Sequence, residues 1–248
     1  MDNVISGNLK IEERHLQEGA LILVDKPLTW TSFDVVNKIR YTVKHLLGVK
    51  KYKVGHAGTL DPLASGLLLL CIGKYTKKIE GLMGLSKDYK ATVQLGYDTP
   101  SQDAELLPHI YYPSKTFDQA QVDQALMSFR GQIKQLPPMY SAIKVKGESL
   151  YKKARKGQVV ERKERPVEIH SLQGRLESSL DLLHLEVSCS KGTYIRTLGH
   201  DIAHVLGTGG YLSVLRRTQI GPYSVSDAVD VQQLVTFIQS LSITSNEA

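Results

Sequence analysis

One carboxylate and one imidazole sit in a stretch whose composition holds them still: Val54-Gly55-His56-Ala57-Gly58-Thr59-Leu60-Asp61-Pro62-Leu63-Ala64-Ser65-Gly66. Glycine permits tight turns and close backbone approach, and a proline directly after the aspartate stiffens the backbone there. The apolar run Leu67 to Ile72 comes next, so the segment reads as a rigid loop that presents Asp61 from the end of a buried strand. A carboxylate held this way can act as a nucleophile or as a general base. Composition alone also fits a plain Gly-Asp-Pro turn. It does not fit a phosphate-binding P-loop, because Gly73-Lys74 is followed by Tyr75 instead of Ser or Thr, and six residues separate Gly66 from Gly73 where that motif has four. No metal-ligand spacing surrounds Asp61. His200 and His204, with Asp201 between them, share one helix face, but there is no His-Glu-x-x-His pattern and no visible third ligand. They read as structural, and no metal is expected.

Around the Asp61 loop the sequence resembles a known family. The run GHAGTLDPLASG is similar to the signature of the tRNA pseudouridine synthase B (TruB) family, whose hallmark is an aspartate in a Gly-Thr-Leu-Asp-Pro context. Further blocks resemble the same family in the same order: LILVDKP at 21–27, SKDYKATVQLGYDTPSQDAE at 86–105, LPPMYSAIKVKGESLYKKARKG at 136–157, SCSKGTYIRTLGHDIA at 188–203 and LRRTQIG at 215–221. The resemblance implies an isomerase that converts the T-loop uridine at position 55 of tRNA to pseudouridine. Such an enzyme breaks the bond from ribose C1′ to N1 of uracil, turns the base and rejoins C1′ to C5. No cofactor is implied. Asp61 takes the place of the catalytic carboxylate, and three roles for it stay open: attack on C1′, addition to C6, or removal of the C2′ proton. Arg196 takes the place of the arginine paired with that aspartate, and Tyr89 that of the tyrosine stacked on the target uracil. Tyr194 and Leu215 match positions lining the uracil pocket. His56 matches the histidine that fills space vacated by nucleotides flipped out of the T loop. Lys26 matches a supporting block, and Asp103 lies in one near the site.

The composition agrees with an anionic partner without naming one. The chain has 248 residues, a formal charge of +6 and a pI of about 9.1; a basic surface favours nucleic acid. Only Cys71 and Cys189 occur, each beside apolar residues, which indicates inert buried thiols. The polar N-terminus is unlike a signal or transit peptide, and the apolar runs fall short of the ~20 residues that span a bilayer. The expected compartment is the cytoplasm.

The positioning elements emerge from periodicity. Ala20 to Val24 reads as a short buried strand, and Thr31 or Ser32 caps a helix through Leu47 with Val36, Ile39, Val43, Leu46 and Leu47 on one face. Leu67 to Ile72 is a strand covered on both faces. Residues 89–97 alternate, odd positions apolar, as in a strand with one covered face. Asp118 caps a helix to Phe129. A strand carries Leu183, Leu185, Val187 and Cys189. Next comes a helix with Ile195, Leu198, Ile202 and Val205, then a strand from Leu212 to Ile220 and a helix from Asp227 to Leu241. These elements predict an α+β (mixed α/β) fold, a largely antiparallel central sheet flanked by helices, which the resemblance identifies as pseudouridine-synthase-like.

Residues 131–166 differ in character. From Lys144 to Arg165 there are nine Lys or Arg against three Glu, interleaved with Tyr151 and preceded by Met139 and Tyr140. This is either a solvated basic face or an insertion that lies along a phosphate backbone. The family has an RNA-gripping, thumb-like insertion at this place, which assigns Lys144, Lys146, Lys152, Lys153 and Arg155 to RNA-backbone contact. The expected organisation is an N-terminal arm (1–19, polar and irregular), a catalytic domain (20–241, with the basic insertion at 131–166) and a tail (242–248). That would be a short form without the C-terminal RNA-binding (PUA-type) module. The expected partner is the tRNA T arm, gripped by a monomer without guide RNA, protein partner or membrane, at the cost of flipping the base out of its stack. The alternative is a tRNA-folding chaperone of the same fold in which catalysis is dispensable.

Overall fold

The computed structural model describes residues 4–7, 12–145 and 147–241. The described chain forms two compact units, one ending at Lys87 and resuming at Arg216, the other Asp88–Leu215.

The first unit begins with β1 (Val4–Ile5) and α1 (Glu13–Glu18), followed by β2 (Leu21–Lys26) and α2 (Ser32–Leu47). The irregular arm expected before residue 20 is therefore corrected. Ile5 pairs in parallel with Ile22, Leu16 is fully buried, and the Tyr52 hydroxyl donates to the Leu16 carbonyl at 2.6 Å. Residues 1–3 and 8–11 of that arm, and the tail 242–248, lie outside the described residues. α2 starts where expected: Thr31 Oγ1 accepts from the Asp34 amide at 3.0 Å, and the Asp34 carboxylate accepts from the Thr31 amide at 2.8 Å. This reciprocal cap satisfies two amides that the first turn leaves without partners.

β3 (Val54–His56) and β4 (Ala64–Ile72) bracket the Asp61 loop, and α3 (Ile79–Met83) comes after them. β4 runs antiparallel to β2, with Leu21 opposite Cys71 and Lys26 opposite Gly66. Its unbroken apolar sequence has a direct cause. Leu68, Leu70 and Ile72 pack with Ile22, Val24 and the α2 residues Val35, Val36, Ile39 and Val43. Leu67, Leu69 and Cys71 pack on the other side with Leu21, Leu23 and Ile220.

The second unit takes over one residue into β5 (Lys87–Leu95) and continues with β6 (Tyr97–Asp98), β7 (Ile110–Tyr111), α4 (Gln119–Met127) and β8 (Gly131–Gln135). In the basic insertion β9 (Lys144–Val145) and β10 (Glu148–Ser149) form a small hairpin leading into α5 (Leu150–Arg155). The long strands β11 (Arg165–Glu177) and β12 (Leu182–Cys189), then α6 (Ile195–Val205) and most of β13 (Gly210–Ile220), complete it. β11 pairs antiparallel with both β8 and β12. α6 approaches β5 very closely at Gly199, where an added Cβ would stand 2.7 Å from Cγ2 of Val93. Any larger residue there would have to push the helix away.

From Arg216 the chain is back in the first unit, with β14 (Tyr223–Ser224), β15 (Val229–Asp230) and α7 (Val231–Ser240). The last helix starts later than expected. Val229 and Asp230 pair in parallel with Val24 and Asp25, so Asp230 rather than Asp227 becomes the cap and accepts from Gln232 and Gln233 at 2.7 and 3.1 Å. Pairing on β2 thus takes residues that local propensity would give to a helix. The architecture is mixed α/β: β4 pairs antiparallel with β2 and β3, β11 antiparallel with β8 and β12, while β1 and β15 join β2 in parallel. Among the described residues no helix is long and apolar enough to cross a membrane.

Candidate active site

The Asp61 loop is gripped residue by residue. Ala57 still belongs to the sheet and donates to the Leu69 carbonyl at 2.9 Å. Arg217, 1% exposed, donates to the carbonyls of Gly58 (3.2 Å), Thr59 (3.3 Å) and Leu67 (2.8 Å). Ser32 closes on Leu60 from both sides, accepting from its amide at 2.8 Å and donating to its carbonyl at 3.0 Å. The Asp61 carbonyl accepts from Ala64 at 3.1 Å, and the Pro62 carbonyl accepts from Thr29 at 2.8 Å. The half-buried Asp61 side chain thus rises from a backbone with little freedom. Gly66 is required for this arrangement, since its φ is +108° and a Cβ would collide with the backbone of Arg217.

Lys26 lies under the same loop. It is fully buried, and its ammonium donates to the carbonyls of Pro27 (2.8 Å), Trp30 (2.6 Å) and Pro62 (3.5 Å). Burial lowers its pKa to about 8, against the pull of the Asp61 charge and with a further push from Arg217. Desolvation penalises the ammonium, and the nearby carboxylate restores part of it. His56, the last residue of β3, is half-buried with its Nδ1 unpartnered among the described residues. Burial first, and then the Arg217 charge, hold its pKa below the ordinary imidazole value. Beside the loop, Arg216 and Asp25 form a two-pronged pair at 2.7 and 3.1 Å.

The second unit carries the remaining expected residues. Arg196 stands in the first turn of α6, 4% exposed. It donates to the carbonyls of Ser101 (3.1 Å) and Tyr140 (2.7 Å) and pairs with Asp103 at 3.5 Å. A surface ion pair, the ordinary fate of an arginine on a helix, is thereby excluded. Asp103 is itself buried: its carbonyl accepts from the Thr99 hydroxyl at 2.7 Å and its carboxylate from the Glu105 amide at 3.0 Å. Tyr194 precedes α6, and Gln135 clasps its backbone, accepting from its amide at 3.0 Å and donating to its carbonyl at 3.3 Å. Tyr89 is half-buried on β5 and Leu215 buried on β13.

The basic insertion is less uniformly open than its sequence suggests. Lys144, Lys152 and Arg155 are exposed. Lys153 and Lys156 both pair with Glu148, at 3.6 and 2.7 Å, and Arg155 lies over the Tyr151 ring at 5.7 Å. Lys146 lies outside the described residues. Tyr151 also ties α5 to the Asp103 turn, donating to Glu105 at 2.9 Å. Sequence reasoning does not find Arg217, Ser32 or Gln135 as parts of the site. Arg217 falls within the LRRTQIG block, but an arginine gives no sign of pointing inward; its alternation with the buried Leu215 is the one available hint.

Residues 44–195 match the model of the TruB family pseudouridylate synthase N-terminal domain, and residues 196–246 match that of the tRNA pseudouridylate synthase B C-terminal domain. The chain belongs to the TruB family. A tRNA pseudouridine synthase B of Phocaeicola vulgatus is 45% identical over 92% of the chain and 97% of its own length. One from Flavobacterium johnsoniae is 45% identical over 86% of the chain and 93% of its own length. Among solved structures, a chain of a Cbf5-Nop10-Gar1 complex shares 30% identity and a TM-score of 0.67. That match covers 95% of the present chain and 59% of the other. The TruB chain thus has relatives of its own length, and the pseudouridine synthase fold expected from its motifs is the fold it has.

Proposed function

We propose that this TruB-family chain isomerises uridine to pseudouridine in tRNA, at position 55 of the T loop, with Asp61 as the catalytic carboxylate. The observation that carries the reading is the Asp61 loop, whose backbone is held by Arg217, Ser32, Thr29 and Lys26. A carboxylate on so constrained a backbone meets its substrate without first having to be ordered, and a misplacement of 1 Å can cost about 100-fold in rate. Family membership and the synthase B relatives support the substrate. In the reaction the C1′–N1 bond breaks, the uracil turns, C1′ bonds to C5, the C5 proton leaves to solvent and N1 takes one up. Atoms balance without a co-substrate.

Tyr89 and Arg196 complete the proposed catalytic set, the first stacking on the uracil and the second offsetting negative charge. Tyr194, Leu215 and His56 shape the binding site. Lys26 and Asp103 act as positioning residues, since the polar groups of each are engaged within the protein. Flipping the uridine costs a few kcal/mol of stacking and pairing, and stacking on an aromatic ring returns roughly 1–3 kcal/mol per base. The enzyme acts as a monomer in the cytoplasm on tRNA alone, without guide RNA.

The test is tritium release from a tRNA transcript labelled at C5 of its uridines. Wild type should release one tritium per tRNA, mapped to the T loop. Asp61→Asn should bind the same tRNA and release none; turnover near wild type in that variant would sink the catalytic assignment. Tight binding without release by wild type would leave a tRNA-folding chaperone instead.

A further inference from the structure

On the later turns of α6 and at the end of β6, two histidines and an aspartate converge. His200 and His204 stand one turn apart on α6, their rings 4.2 Å apart and tilted by 34°. Both aim Nε2 at Asp98 at the end of β6: His204 reaches Oδ2 at 3.0 Å and His200 faces Oδ1 at 3.7 Å. One ligand atom from each of the three residues can be chosen so that all lie within 4.8 Å of one another. The helix alone offers two ligands. The third arrives from a strand more than a hundred residues earlier, which is why sequence spacing could not show it.

We propose that Asp98, His200 and His204 bind a divalent transition-metal ion, Zn2+ above all. Zinc sites use His nitrogens at about 2.0–2.1 Å in tetrahedral array, which places neighbouring ligand atoms about 3.3 Å apart, between the two separations observed. The histidines have the i, i+4 spacing of helix-borne zinc ligands.

The surroundings fit a metal site as well as the ligands do. His200 Nδ1 lies 3.3 Å from Asp201 Oδ1, so a proton on Nδ1 is held by that carboxylate and Nε2 keeps its lone pair for the ion. A carboxylate behind a ligating histidine is the usual supporting contact in such sites. Asp98 is fixed independently, accepting from the Tyr112 hydroxyl at 2.8 Å and the Gly210 amide at 3.0 Å. The Asp98 side chain is 6% exposed and that of His204 41%. The cluster is therefore anchored on one side and open on the other, where water can complete the coordination. Two imidazoles and one carboxylate suit Zn2+ and its transition-metal neighbours and do not suit Mg2+. A bound ion would pin the C-terminal half of α6 to the β6 turn. The pin lies on later turns of the helix that carries Arg196 in its first turn; it is structural in effect and takes no part in the isomerisation.

The experiment titrates Zn2+ into untagged, chelator-stripped full-length protein against a chromophoric chelator. Wild type should take up one Zn2+ per chain and gain thermal stability with it. His204→Ala and His200→Ala should each weaken binding at least tenfold, while His170→Ala, which removes an exposed histidine that faces Glu168, should leave it unchanged. Cys71 and Cys189 are buried and offer no competing site. Absence of stoichiometric uptake, or uptake unchanged in the His200→Ala/His204→Ala double variant, overturns the proposal. Co2+ bound to wild type gives a second reading that needs no variant. Intense visible bands of low-coordinate Co2+ support the site, and the weak spectrum of hydrated ion overturns it.

Discussion

Replacing Arg217 with methionine separates a positioning role for the loop clamp from a purely structural one. The side chain supplies a charged donor to three backbone carbonyls, one at 2.8 Å and two at 3.2–3.3 Å. A hydrogen bond to a charged group contributes about 1.5–3 kcal/mol. Counting the short bond in full and the longer two at half strength gives about 3–6 kcal/mol. Removing a buried cation recovers desolvation, which apolar replacement of buried charge places at about 1–4 kcal/mol. The net loss is therefore about 2 kcal/mol, tolerable within the ~5–15 kcal/mol of a typical fold. Urea unfolding should show a lower midpoint at unchanged slope. Turnover on tRNA should fall at least tenfold, because the freed Gly58 and Thr59 carbonyls let the Asp61 loop shift, while tRNA binding changes no more than about threefold. Arg217→Lys should fall between, since one compact ammonium cannot span three acceptors. Turnover within twofold of wild type in Arg217→Met would refute the idea that the clamp sets the carboxylate's position.

Other predictions concern charge and packing. The Lys26 pKa of about 8 in the fold lies below the ~10.4 of an unfolded lysine. The charged form therefore subtracts stability below about pH 8, and that penalty fades as pH rises towards 10.4. Wild type should gain stability relative to Lys26→Met between pH 8 and 10; a constant difference across that window refutes the shift. Gly199→Ala should cost about 1–3 kcal/mol by overpacking against Val93, and Val93→Ala in the same chain should restore most of it. Simple additivity of the two would show that the close approach is not the cause. Neutralising Lys152, Lys153 and Arg155 together should weaken tRNA binding and reduce its salt slope by about 2, since Lys153 already pairs with Glu148. An unchanged slope would leave α5 as solvated surface.

What can be read from the chain is local. Thr31 and Asp118 mark their helices because a cap needs only the next three residues. β4 announces burial on both faces because every residue from Leu67 to Ile72 is apolar. The Asp61 loop is legible through its glycines, its proline and its family signature. What escapes depends on distant pairing. The arm reads as irregular because Ile5 and Leu16 acquire partners only when β2 and Tyr52 are in place. Val229 and Asp230 read as helix because nothing nearby reveals that β2 offers them an edge. Arg217 and Gln135 are polar residues whose inward direction comes from strand register, and no composition rule distinguishes them from surface groups.

The bonds from Arg217 to the loop close over 150, 158 and 159 positions of sequence. A ribosome has therefore finished with Asp61 long before it makes the residue that steadies it. Contacts of such separation form late, after the closure entropy of the intervening chain has been met. Every residue proposed for catalysis is present in a nascent chain that stops at Leu215, yet the loop still lacks its guanidinium. A chain stopped there should be inactive, and one that also carries Arg216 and Arg217 is the first in which the loop's mould is complete.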